Sequence, residues 1–433
     1  MTQRILEANT PQGLTDNEIL PVLDELLAGH ASRLGRAPVK CLLLPPDMTR
    51  MHSYAGNITG MLYTSLKKIH AACQVDILPA LGTHEAMSEQ EIRAFFGAEI
   101  PLECFKVHNW RTDVVKLGQV PAEYVREISE GLVDEAIDVE VNRRLLDPSY
   151  DLILSIGQVV PHEVVGMANY SKNIFVGCGG SSMINRTHML GAFYGMERIM
   201  GRDGTPVRKV FDYAEQHFIP NLPLDYVLTV TTQAEGIIRV HGLYAGRSRS
   251  LFEQAVALSQ QKNLTFLDRP MQKVVVYLDE REFKSTWLGN KSVYRTRMAI
   301  ADGGELIVLA PGVRKFGEDD INDRLIRKYG YVGRKKVLEL VKENEDLKGN
   351  LSVAAHLIHG SSDDRFRITY CPGGLTREET EGAAFGYMPL SEALSLYDPN
   401  KLKDGWNTLA DGTEIFYVSN PALGLWALRE KFQ

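Results

Sequence analysis

The stretch YDLILSIGQVV, residues 150–160, is an almost continuous apolar run that stops at Pro161. Without polar alternation, such a run reads as a strand buried on both faces, the kind found in mostly parallel sheets covered by helices. Towards the N-terminus, KCLLLPP (40–46) and QVDILPA (74–80) read as strands of the same kind, with a helix between them from about Asn57 to Cys73. Towards the C-terminus, YVLTVTTQAEGIIRVHGLYAG (226–246) holds two β-rich stretches around a short polar turn and reads as a hairpin. A helix follows over about Ser248 to Gln261. The pattern then restarts with KVVVYLDE (273–280), ELIVLAPG (305–312), RFRITYCPG (365–373) and EIFYVSN (414–420), interleaved with helices over 333–345 and 390–397. Strands alternating with helices predict an α/β chain. Its 433 residues exceed an ordinary single core. The expectation is therefore two α/β domains with mostly parallel, Rossmann-like sheets. Asp268, Arg269 and Pro270 interrupt the pattern, which sets the expected domains at 1–270 and 271–433.

Composition narrows the partners. Hydrophobic residues make up 44% and charged residues 24%, the profile of a soluble globular protein. The formal net charge of −7 argues against nucleic-acid and anionic-membrane partners, which require a basic surface. The basic clusters Arg324–Lys328 and Arg334–Lys336 lie beside acidic neighbours and read as solvated helix faces. The N-terminal MTQRILEANTPQG has no apolar run of the signal-peptide kind, and no stretch approaches the ~20 apolar residues of a membrane span. Five scattered cysteines without CxxC spacing fit reduced thiols, without a zinc site or a disulfide framework. These features together predict a cytoplasmic protein.

Three loops at strand ends carry the chemistry, where open α/β sheets bind ligands. The first, PPDMTRMHS (45–53), offers Asp47 as a helix cap and Arg50 as a guanidinium suited to a carboxylate. The plainer reading has Asp47 capping and Arg50 pairing with it. In the second, ALGTHEAMSEQEI (80–92), Gly82 permits a tight exit and Ser88 with Glu91 forms a capping box, leaving His84 exposed before the helix. Such a histidine is an acid/base candidate or a surface residue. The third runs SIGQVVPHEVVGMANYSKNIFVGCGGSSMINRTHMLGA (155–192). His162 follows Pro161, Lys172 precedes a cluster of glycines, and His188 comes after them. From residue types alone, Lys172 could hold a phosphate or form a covalent bond to a cofactor, and either histidine could bind a metal. Neither GxxxxGK[ST], nor GxGxxG directly after a strand, nor GxSxG is present, which sets aside nucleotide-loop, dehydrogenase and serine-hydrolase readings.

Taken together, these loops resemble the lactate racemase family, whose members carry a nickel-pincer nucleotide bonded to a lysine. The family's Asp-x-Thr-Arg motif stands here as Asp47-Met48-Thr49-Arg50, and its Gly-x-His loop as Gly82-Thr83-His84. Its strand-end Pro-His stands as Pro161-His162, followed by Lys172 ten residues on and His188 sixteen further (172 − 162 = 10; 188 − 172 = 16). The resemblance is strong over the first domain and fainter to the end of the chain. It implies that Lys172 joins the cofactor through a thioamide, that Asp47 and Thr49 border it, and that His188 completes the nickel coordination. His84 and His162 would face the substrate from opposite sides as proton carriers, with Arg50 on its carboxylate. One histidine would take the hydroxyl proton as C2 passes its hydride to the cofactor's pyridinium ring. The planar keto acid would turn, and hydride and proton would return on the other face.

Two departures stand out, the first reshaping the cofactor pocket while keeping the attachment lysine and the second bearing on the substrate. The family's Ser-Gly-Gly before the lysine is replaced by Met167-Ala168-Asn169-Tyr170-Ser171. In the second domain, Trp287-Leu288-Gly289-Asn290-Lys291 has Leu where the family has Gln, so Trp287 and Lys291 are the matching substrate-binding candidates. The resemblance thus implies a 2-hydroxyacid racemase or epimerase with its active site in the cleft between the domains. Its substrate would be a sugar acid of the gluconate or mannonate type, the alternative being lactate or another short-chain acid. A reading of another class is a non-catalytic hydroxyacid sensor, which would have no need of Lys172 and His188. The partners implied are the small hydroxy acid and the proteins that assemble the cofactor; a homo-oligomer stays open.

Overall fold

The computed structural model describes residues 3–234, 236–422 and 424–432. They cluster into two compact units: residues up to Tyr194 with Arg198–Asn263, and Gly195–Glu197 with the chain from Leu264 onward. The second begins at Leu264 because the strand Leu264–Leu267 pairs in parallel with Leu425–Leu428 before Asp268 is reached.

The first unit is built on a six-stranded sheet. Its order is Arg4–Glu7, Ile237–Gly246, Leu224–Ala234, Leu152–Gln158, Lys40–Leu44, Gln74–Ile77. The last four run parallel, and the hairpin strand and the N-terminal strand add antiparallel edges. Glu235 lies outside the described residues. Successive side chains of a strand point to opposite faces, and here both faces are apolar. Cys41 and Leu43 pack with Ile19, Leu23 and Leu27 of the helix Asp16–Leu34, and with Leu62 and Leu66 of the helix Ala55–Ile69. Leu42 and Leu44 pack on the other side with Phe175, Phe211 and Phe252. Burial on both faces explains why these strands carry unbroken apolar runs. The helix expected to reach Cys73 ends at Ile69, because His70 turns extended at φ −148 and a tight turn leads into the strand at Gln74.

The parallel arrangement has one consequence for function. The strands Leu152–Gln158, Lys40–Leu44 and Gln74–Ile77 are adjacent and parallel, so their carboxyl ends lie side by side and bring the three loops together.

The second unit has its own six-stranded sheet. Its order is Gly386–Tyr387, Arg367–Pro372, Ile300–Ala310, Met271–Tyr277, Glu414–Val418, Gly405–Thr408, parallel except for the last pair. Its basic helices are paired as their acidic neighbours suggest: Arg327 meets Asp323 and Glu379, and Lys328 meets Asp346. Among the described residues, no helix is long and apolar enough to cross a membrane.

Candidate active site

The strand Lys40–Leu44 leads through two prolines into a tight turn over Met48–Ser53. Asp47 caps it, one carboxylate oxygen accepting from the Thr49 backbone N–H at 3.0 Å and the Thr49 hydroxyl at 2.5 Å. The other oxygen meets Nδ1 of His84 at 2.5 Å. Burial pushes the Asp47 carboxyl up, but His84, Thr49 and Arg50 outweigh it and hold it below the usual range. An ionised Asp47 can only accept, so Nδ1 of His84 carries a proton, and in the neutral ring Nε2 is the acceptor. His84 itself is exposed, 44% by side chain. Its loop is held by Gly82, at φ +58, whose N–H donates to the Gly177 carbonyl at 2.9 Å. The capping box of Ser88 and Glu91 then starts the helix Glu89–Phe96.

His162 is in the opposite condition. It is buried, and its Nδ1 accepts from the Val164 backbone N–H at 3.1 Å. The neutral ring therefore carries its proton on Nε2. Burial pushes its protonation well below the ordinary value; Glu163 opposes this, while Lys172, Arg50 and His188 reinforce it. The two imidazoles thus offer complementary nitrogens: an acceptor on His84 and a donor on His162.

Lys172 stands at the start of a single π-helical turn, Asn173–Gly177, an irregularity often found at functional sites. Asn173 ties that turn to two strands, its amide donating to the Leu44 carbonyl and the Ser155 hydroxyl, both at 2.9 Å. Burial pushes the Lys172 ammonium down to about 8, with Arg50 and Arg208 adding to it and Glu163 and Asp47 opposing. A substantial fraction of the amine is then neutral and nucleophilic near physiological pH. On the helix Ser181–Tyr194, His188 meets the Ile184 carbonyl through Nδ1 at 2.6 Å. A carbonyl can only accept, so Nδ1 is protonated and the Nε2 lone pair is available, the tautomer that metal-binding histidines use. Burial lowers its protonation, against the raising by the Ile184 carbonyl.

Arg50, Lys172 and His188 all act electrostatically on His162, and Arg50 and Asp47 act on Lys172. The candidates of the three loops therefore converge within the first unit. Trp287 and Lys291 belong to the second. There Trp287 stacks on His356 with centroids 4.2 Å apart, and the Lys291 ammonium lies 5.5 Å from the Phe283 ring centroid.

Three residues of the first-unit site escaped the reading of the sequence. Glu163 approaches His162 Nδ1 at 3.8 Å and is the charged group that counters its desolvation; its place beside His162 was the available signal. Asn173 was hidden in a polar stretch. Arg208, fully buried, shares the apolar stripe of its helix with Val207, Phe211 and Ala214, and a charge on such a stripe was detectable.

Residues 5–199 match the model of the lactate racemase N-terminal domain. A solved structure of a Thermotoga maritima protein is 24% identical, with a TM-score of 0.81 over 98% of this chain and 100% of that one. The lactate racemase apoprotein from Thermoanaerobacterium thermosaccharolyticum is 16% identical, with a TM-score of 0.69 over 93% of this chain and 92% of that one. None of the curated proteins compared matches. The two solved structures establish a shared α/β fold, and over residues 5–199 the chain is similar to the lactate racemase N-terminal domain.

Proposed function

We propose that the protein is a racemase or epimerase that inverts C2 of a 2-hydroxy acid, using a nickel-pincer nucleotide attached to Lys172. The observation that carries this reading is the convergence of a partly neutral lysine with two imidazoles that present opposite nitrogens. Inversion needs an imidazole within hydrogen-bonding reach of the hydroxyl in each of its two orientations, and one histidine cannot serve both sides. Arg50 would bind the carboxylate, bidentate recognition being what a guanidinium does best. His84, held by Asp47, would take the hydroxyl proton, and His162 would manage it on the other side.

The residues fit such a cofactor. Lys172 supplies a nucleophilic amine, and His188 a deprotonated Nε2. Among the described residues, no three His, Cys, Asp or Glu side chains cluster so as to hold a metal by themselves. A metal beside His188 would therefore draw its other donors from the bound group. When bound, that group supplies the hydride acceptor that protein side chains lack. Leu288, where the lactate enzymes have Gln, favours sugar acids as the first substrates to screen.

The test is intact mass with nickel content, on protein co-produced with the cofactor-assembly proteins. A mass increment mapped to Lys172 with about one nickel per chain is expected. Lys172→Ala should lose both, and His162→Ala should keep both while losing turnover. An unmodified Lys172, from a host that loads a known lactate racemase, would overturn the reading.

A further inference from the structure

Lys172 follows a backbone segment that does not hold its shape unaided. Asn169 and Tyr170 both adopt left-handed angles, φ 64 and 56. Asparagine tolerates this; for tyrosine it is strained. On one side the segment is tied by the Asn169 amide donating to the Ile156 carbonyl at 3.3 Å, and by the Tyr170 hydroxyl donating to the Arg247 carbonyl at 3.0 Å. The Tyr170 ring packs against Tyr226 and Phe252. Arg208 holds it from the helix Pro206–Phe218. One Nη donates to the carbonyls of Met167 at 2.6 Å and Asn169 at 3.1 Å, and the other to the Ser171 hydroxyl at 2.8 Å. Its guanidinium also lies 4.5 Å from the Phe252 ring centroid.

These acceptors are neutral and fall on residues 167, 169 and 171, while Asp212 and Asp203 balance the charge from further off. Ser171 extends the connection to Asp212 at 3.3 Å, and Asp212 to Arg249 at 2.9 Å. Burying a cation without a direct ion pair is costly, and an apolar side chain of similar length would fill the space without that cost. What Arg208 adds is a rigid fork matching three acceptors on alternate residues.

We propose that Arg208 is the positioning residue that holds Met167–Ser171 in the shape presenting Lys172 to the site. The inference rests on Lys172 being the attachment residue. Arg208 also opposes protonation of the amine. The other groups acting there are Arg50, Glu163 and Asp47, and Lys172 in turn acts on His162 and His188.

The experiment uses protein without cofactor, so its outcome is independent of loading. Competitive acetylation across pH, read by peptide mass spectrometry, gives the Lys172 midpoint, and hydrogen exchange reports on 167–172. In Arg208→Met the midpoint should rise from about 8 towards the ordinary lysine value of 10.5. Exchange in the segment should quicken by about tenfold or more while the sheet strands stay protected. Arg208→Lys, which keeps the charge, should restore most of the midpoint. Ser171→Ala should shift both readouts in the same direction by less, and it decides the matter should Arg208→Met not fold. An unchanged midpoint and unchanged exchange would overturn the proposal. So would faster exchange spread over the whole unit with the midpoint unmoved, which marks a merely structural arginine. Failure of Lys172 to carry cofactor on co-production would overturn the proposed function and leave this result standing.

Discussion

A neutral imidazole has two nitrogens and one proton, so the partner at one nitrogen decides what the other can do. Asp47 at His84 Nδ1, the Val164 N–H at His162 Nδ1 and the Ile184 carbonyl at His188 Nδ1 therefore assign three tautomers. Nitrogen-15 NMR of histidine-labelled protein at pH 8 should show a pyridine-like Nε2 for His84 and His188, and a pyridine-like Nδ1 for His162. A pyrrole-like Nδ1 on His162 would mean that the Val164 contact does not hold in solution. Replacing Asp47 by Asn removes the carboxylate that orients His84. Turnover of the loaded enzyme should fall by about 10²–10⁴-fold, with the Lys172 mass increment retained. None of these partners can be read from a motif. The sequence marks His84 as exposed and His162 as following a proline, but each tautomer depends on what meets the ring in space.

At the scale of the element, the strands were legible because their signal is local. An apolar run bounded by Pro or Gly says strand whatever lies beside it, and the runs at 40–46, 74–80 and 150–160 all fold as parallel strands. Gly157 shows what such a reading misses. It sits at φ +150 near the end of the strand Leu152–Gln158, and a Cβ there would lie 2.1 Å from the Asn169 amide nitrogen. Gly157→Ala should therefore displace Asn169, costing about 1–3 kcal/mol of stability in denaturant titration and reducing modification of Lys172. Gly60, inside the helix Ala55–Ile69, is the control: the nearest atom to an added Cβ is 4.0 Å away. Gly60→Ala should raise stability by about 0.5–1 kcal/mol.

Across the first unit as a whole, the buried Glu215 carboxyl sets a pH dependence. Glu215 accepts from the Tyr226 hydroxyl at 2.9 Å and lies 3.4 Å from Arg247. Burial pushes its carboxyl up to about 7 from 4.5, against the lowering by Tyr226 and Arg247. The folded state thus holds a proton that the unfolded chain releases. Its contribution to stability is fully present below pH 4.5 and is lost as pH rises through 7, amounting to about 3 kcal/mol at most. Between pH 5 and 8 the denaturant midpoint of the parent protein should decline relative to that of Glu215→Gln, because the buried bases His162 and His188 act in the opposite sense in both proteins. An equal decline in both would assign the dependence to another group.

What the sequence by itself determined is whatever local order carries: the α/β class, the strand-end loops, and the identities and spacing of Asp47, Arg50, His84, His162, Lys172 and His188. Hydrophobic periodicity and motif spacing are properties of neighbours along the chain, so they survive without coordinates. What only the tertiary structure decided is which nitrogen of each histidine holds a proton, how far burial lowers Lys172, and that Arg208 braces the segment before it. These depend on desolvation and on partners far apart in the chain; Asp47 and His84, like Arg208 and Ser171, are 37 residues apart. Only folding brings such pairs within hydrogen-bonding distance and removes the water that would otherwise compete for them.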